Sequence, residues 1–126
     1  MLSSCPIAPT LPMTDVERTK VFYREILGLP PLTELPEILM FRCGDGTVLT
    51  LYQREASKAD HTLASFLVKD IEKEVAELRA KGVVFEEYDR PDIKTINGIA
   101  TRGHTKAAWF RDPNGNIIGL TQESTA

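Results

Sequence analysis

Two histidines, His61 and His104, and a single tryptophan, Trp109, carry most of the chemical potential of this 126-residue chain. Imidazole titrates near neutrality and ligates metals, so each histidine is a candidate base or ligand. Neither has a carboxylate at a matching spacing, which makes the pair a weak metal signal. His61 equally suits a surface position at the start of a strand, and His104 a solvated loop. Cys43 precedes a tight turn with no neighbouring base to lower its pKa, which favours a buried structural thiol over a nucleophile. Glu86, Glu87 and Asp89 could supply a general base, although a solvated strand end is the simpler reading. Trp109 offers a large apolar ring with one polar handle, suited either to a flat ligand or to packing on a helix. Gly44-Asp45-Gly46 reads as a hairpin turn and not as a phosphate-binding loop.

The elements that position these side chains are legible from periodicity. Residues 6–13 hold three prolines, so they form at best an edge strand. Thr14 and Glu17 have capping-box spacing, and Val16, Phe22, Tyr23, Ile26 and Leu27 continue as a helical stripe. Gly28 and the Pro30-Pro31 pair stop that helix. Strands follow over 32–35, 38–43 and 47–53, the last two joined by an Asp-Gly turn. Residues 54–60 read as a linker and 61–68 as a strand. Asp70 caps a helix with Ile71, Val75 and Leu78 on one face, and Gly82 ends it. Residues 83–88 read as a strand and 89–106 as a long polar insertion without periodicity, a kind of loop that is often functional. A closing hairpin, 107–111 and 116–122, turns at Asp112-Pro113-Asn114-Gly115.

The pattern occurs twice. Asp15 and Asp70 lie 55 positions apart, and Gly46 and Gly115 lie 69 apart. An acid, an amphipathic helix and a glycine recur, then a glycine, a β-rich run and a terminal glutamine. Each half reads βαβββ. The expectation is one domain over 1–126, made of two modules at about 6–54 and 60–123. A net charge of −3 without a basic run argues against nucleic-acid binding. No apolar run is long enough to span a bilayer, and no export signal is evident at the N-terminus. Two cysteines are then expected as reduced thiols in the cytoplasm, with a Cys5–Cys43 disulfide disfavoured.

The segments DVERTKVFYREILGL, VKDIEKEVAELRAKGVVFEE and AAWFRDPNGNIIGLTQ resemble the vicinal oxygen chelate superfamily, also called the glyoxalase/bleomycin resistance/dioxygenase family. The resemblance runs over roughly residues 8–122. It implies an α+β fold in which two βαβββ modules form a curved, open barrel-like mixed sheet with a cleft, and it implies a homodimer. Metal-dependent members place His, Glu or Gln ligands on the first and last strand of each module, where a divalent ion polarises substrate oxygens. Carried over by position, those seats are Ala8 and Leu63, seven residues before the capping acids, and Thr50 and Gly119, four after the turn glycines. Three have no ligating side chain, and a neutral hydroxyl is a poor ligand.

The expected function is therefore that of a glyoxalase/bleomycin-resistance-like, metal-independent binder, holding a small organic molecule in the cleft under the 89–106 segment. No metal, no cofactor and no nucleic-acid or membrane partner is expected. The expected contacts are Thr50, Tyr52, His61, Leu63, Ser65, Trp109, Gly119 and Thr121, with Arg102 or His104 closing from the insertion. His61 is placed on the cleft-facing side of its strand, and Gly119 is expected to leave room for the ligand. The alternative is a glyoxalase-like lyase or isomerase, using a non-standard metal site or a metal-free base such as His61 or Glu87. A third reading, an interaction module without a ligand, rests on the long insertion.

Overall fold

The computed structural model describes residues 1–123, which divide into two compact units. Unit 1 comprises Met1–Lys58 with Pro113–Gly115; unit 2 comprises Ala59–Asp112 and the chain from Asn116 onward.

Unit 1 runs β1 (Thr10–Met13), α1 (Val16–Lys20), β2 (Pro31–Glu34), β3 (Ile38–Arg42) and β4 (Val48–Gln53), with sheet order β1-β4-β3-β2. β1 is an edge strand lying parallel to β4, so Pro12 is tolerated there. α1 continues as a π-helical turn over Val21–Ile26, where the Leu27 N–H donates to the Phe22 carbonyl at 2.9 Å. Phe22 and Tyr23 are both buried, and Tyr23 stacks on Phe41 of β3 with centroids 5.5 Å apart. Leu39, Phe41, Leu49 and Leu51 form that core-facing side of the sheet. The capping detail differs from expectation. The Asp15 carboxylate, not Thr14, caps α1 by accepting from the Arg18 N–H. Thr14 is engaged elsewhere: its N–H donates to the Asn114 side-chain oxygen at 2.9 Å. Asn114 is buried and also pairs with the buried hydroxyl of Thr19.

Unit 2 runs β5 (Ala64–Leu67), α2 (Ile71–Ala80), β6 (Thr95–Ile96), β7 (Ile99–Arg102), β8 (Thr105–Arg111) and β9 (Ile117–Glu123), in sheet order β5-β9-β8-β7-β6. β5 and β9 are parallel and the remaining pairs antiparallel, so both sheets are mixed. Asp70 caps α2 as expected. The side-chain oxygen of Gln122 adds a second acceptor at that helix start, taking the Ile71 N–H at 2.7 Å. Ile71 and Val75 of α2 are buried, as are Ala108, Phe110, Ile118 and Leu120 on alternate positions of β8 and β9. Burial of one such aromatic side chain is worth about 2–3 kcal/mol. Asp112 and Asn116 close the β8–β9 turn with three hydrogen bonds: Asp112 N–H to the Asn116 carbonyl, and the Asn116 backbone and side-chain N–H groups to the Asp112 carboxylate.

Two expectations fail in unit 2. The 89–106 segment is not a featureless loop: it forms β6, β7 and the start of β8, turning at Asn97-Gly98 (φ 54° and 82°) and again at Gly103-His104. Asn-Gly is the pair that accepts positive φ at both central positions of a tight hairpin. Residues 83–88 form no strand; Phe85 makes an isolated bridge to Phe110 of β8, and the Glu86 N–H donates to the Trp109 carbonyl at 2.8 Å. The reason is competition for one edge, because β7 takes β8 at 105–107 and leaves only its far end for Phe85.

Candidate functional site

Strand register decides which expected residues meet. Gly119 of β9 lies opposite Ser65 on β5 and opposite Trp109 on β8. Thr121, one step along, lies opposite Leu67 and Ala107, and Arg102 of β7 pairs with Thr105 of β8. Directly paired residues share a face, and so do alternate residues of a strand. Ser65, Gly119, Trp109, Thr121 and Arg102 therefore lie on one side of the unit 2 sheet. The opposite side carries Phe110 and faces α2 through Phe85 and Arg79. Four steps along β8 lead from Trp109 to Thr105, so Arg102 stands about 13 Å from the Trp109 row.

The structure closes the room expected at Gly119. A Cβ at that position would stand 2.7 Å from the Ser65 hydroxyl oxygen and 3.1 Å from the Thr62 methyl carbon. Gly119 is buried beneath these two small side chains, and its missing side chain leaves no hole. Thr62 was not anticipated, because only the three-dimensional register brings it to β9.

His61 lies outside β5. β5 begins at Ala64, and His61 precedes it in a bend, 72% exposed, with Nδ1 2.8 Å from the Asp60 carboxylate. The hydrogen bond from His61 holds the Asp60 carboxyl below its usual range. A parity argument holds only inside a strand, and this residue lies outside one. Leu63 is half-buried just before β5, its N–H donating to the Ile117 carbonyl at 2.9 Å. His104 is exposed at the β7–β8 turn.

Trp109 has a partner that the sequence reading missed. Tyr88 meets it edge-on with centroids 5.5 Å apart, and the Arg90 guanidinium lies 5.1 Å from the Tyr88 ring centroid. A half-buried indole, a phenol and a cation thus stand in series at one end of the sheet. Glu87, the candidate base, is engaged structurally: one oxygen accepts from the Thr95 hydroxyl at 2.9 Å and from the Gly98 N–H. It fastens the β6–β7 hairpin.

In unit 1, Thr50 and Tyr52 lie on the side of β4 opposite Leu49 and Leu51, with Thr50 paired to Thr10 and Met40. Arg54 stands 5.0 Å from the Tyr52 ring centroid. Ala8 precedes β1 and is exposed. Cys5 and Cys43 are both free thiols. Burial pushes the Cys43 thiol up, only partly offset by a hydrogen bond to the Leu49 backbone, which opposes a nucleophilic role.

A model of one protein family, the Glyoxalase/Bleomycin resistance protein/Dioxygenase superfamily, matches residues 7–120. The chain belongs to this superfamily. Superfamily members of known structure share its fold. TnmS3, an antibiotic binding protein from Streptomyces sp. CB03234, is 26% identical, with 98% of this chain and 99% of that one covered and a TM-score of 0.73. Lactoylglutathione lyase from Agrobacterium tumefaciens is 23% identical over 94% of this chain and 93% of that one, with a TM-score of 0.68. The fosfomycin resistance protein FosX from Listeria monocytogenes, in complex with Mn(II) and sulfate, is 16% identical over 99% of this chain and 94% of that one, with a TM-score of 0.72. At such identities the last two show a common fold only. No curated protein sequence matches the chain.

The superfamily's divalent ion does not fit the residues present. At the positions that the resemblance assigns to the ligands stand Ala8, Thr50, Leu63 and Gly119, and a Cβ at Gly119 would meet Ser65 and Thr62. Among the described residues, no three His, Cys, Asp or Glu side chains gather where they could hold a metal. Nor is any helix among them long and apolar enough to cross a membrane, which says nothing of a β-barrel.

Proposed function

We propose that this superfamily member is a metal-independent binder of a small organic molecule with an aromatic or largely apolar body. The observation that carries the reading is the set of residues in the four chelating seats, Ala8, Thr50, Leu63 and Gly119, none of which suits a divalent ion. The face bearing Gly119 offers other means of recognition. Trp109 and Tyr88 supply apolar area with polar rims, while Ser65 and Thr121 supply hydroxyls that can donate or accept. Arg102 is placed to meet a polar group at the far end of that face. Thr50 and Tyr52 are candidate contacts on the unit 1 sheet. The antibiotic-binding activity named for TnmS3 agrees with this class of ligand. The reading includes a homodimer, as the superfamily resemblance implies, and a reducing cytoplasmic setting, which suits two free thiols.

Calorimetric titration with bleomycin and with an anthracycline, each in the presence of a chelator, tests the proposal. Saturable binding of at least one, weakened about tenfold or more by Trp109→Ala, is expected, since aromatic anchors dominate such sites. No heat from either compound would count against an aromatic-ligand binder. Binding indifferent to Trp109 would move the site elsewhere.

A further inference from the structure

The hairpin β6–β7 creates a second candidate site in unit 2, on the sheet face opposite Trp109. A groove of about 570 Å³ runs between α2 and this hairpin. That volume lies in the range of small-molecule sites. Its floor is apolar, with Val75 and Ala76 from α2 facing Ile96 and Ile99 from the hairpin. Two cations, Arg79 and Lys94, line it, and neither makes an ion pair among the described residues. Its one lining carboxylate, Glu72, is neutralised by Lys106. Asp89 is the bridge partner of Lys94, and the groove sets the cationic heads of Arg79 and Lys94 beside apolar surface.

Arg79 is exposed, yet its guanidinium packs against a buried ring. Its guanidinium carbon stands 5.6 Å from the ring centroid of buried Phe85. On the hairpin side, a Cβ at Gly98 would stand 2.8 Å from an Arg79 terminal nitrogen and 3.1 Å from the Phe85 Cβ. Gly98 has φ +82° and is itself fixed by Glu87, so the turn glycine, the ring and the cation form one packed unit. A guanidinium positioned against a ring keeps a planar fork of donors for a carboxylate or sulfonate and loses less entropy on binding than a free side chain.

We infer that the α2/β6–β7 groove binds an amphiphilic organic anion, its acidic head on Arg79 and Lys94 and its apolar body against Val75, Ala76, Ile96 and Ile99. The site is independent of the Trp109 face. The test uses 1-naphthoate as probe and its neutral amide, 1-naphthamide, as control, followed by calorimetry and by amide shifts in nitrogen-15 NMR spectra of the full chain. Naphthoate is expected to saturate shifts at Asn97, Gly98 and Thr101, and the amide to bind about tenfold more weakly. Lys94→Met and Arg79→Met should each weaken naphthoate binding by about five- to tenfold, the size of a charge-assisted contact at a partly solvated site. Trp109→Phe should leave it unchanged. Lys94 is exposed and makes no packing contact comparable to that of Arg79, so its variant keeps the test decisive should Arg79→Met disturb the fold. Equal binding of acid and amide, unchanged affinity in Lys94→Met, or shifts confined to Ser65, Trp109 and Thr121 would each overturn the inference.

Discussion

The last strands of the two units offer the same position to solvent chemistry in different ways. In unit 1, Thr50 stands on β4 beside Thr10 and Met40, half-buried, with its hydroxyl on the side away from the Tyr23–Phe41 core. In unit 2, Gly119 stands on β9 beside Ser65 and Trp109 and is buried by Ser65 and Thr62. The pairing is equivalent, because Thr10 relates to Ser65 as Thr50 relates to Gly119. The difference teaches that equivalent backbone register can carry different chemistry in the two units. One unit holds a neutral hydroxyl there; the other holds no side chain, and Ser65 of β5 and Thr62 before it cover the position.

The sharpest way to break this comparison is to install a carboxylate at both positions. Gly119→Glu should cost about 3 kcal/mol in urea unfolding, through overpacking and a charge forced into a filled seat. Thr50→Glu should cost less than about 1 kcal/mol, since the position is half-open. Equal costs would mean that the two seats are alike. A second contrast is the hairpin that unit 2 carries after its helix. Glu87→Ala strips the acceptor from Thr95 and Gly98 and should destabilise unit 2 by about 2 kcal/mol, with faster amide exchange at Gly98. Unchanged exchange there would mean that the hairpin is held by its strands alone.

A double-mutant cycle sharpens the seat itself. Gly119→Ala and Ser65→Ala should couple by about 1 kcal/mol, the second change relieving the first, because the nearest atom to the new methyl is the Ser65 oxygen. Additive effects would place the steric conflict with Thr62 alone. The smallest effect concerns the two thiols of unit 1. Burial raises the Cys43 thiol, so at pH 8 it holds less thiolate than an ordinary cysteine. Iodoacetamide should therefore modify exposed Cys5 several times faster than Cys43 in the native protein. Matching rates would mean that Cys43 is more open than its packing indicates.

Most of the fold was legible from local chemistry. Asp15 and Asp70 mark both helix starts, Gly28 and Gly82 mark the stops, and the Asp112–Asn116 turn marks the final hairpin. The hairpin at Asn97-Gly98 was not read from the sequence, because polar residues surround it and a sheet edge requires no apolar alternation. The site was less legible, because its partners come from register. Thr62 and Ser65 over Gly119, and Tyr88 against Trp109, join segments far apart in the chain. For His61 the parity argument has no footing, because the strand begins only at Ala64. The groove beside α2 was invisible, since it exists only once the insertion is folded as β6 and β7.

The central claim is that a chelating scaffold has been kept without its chelating residues. Its most direct test is bleomycin or anthracycline binding by the full chain, measured by calorimetry after exhaustive chelation and again with Mn(II) restored, alongside elemental analysis of the purified protein. The account predicts the same affinity in both states and no divalent metal at stoichiometric level. Binding that appears only with Mn(II), or one tightly retained divalent ion per chain, would contradict it.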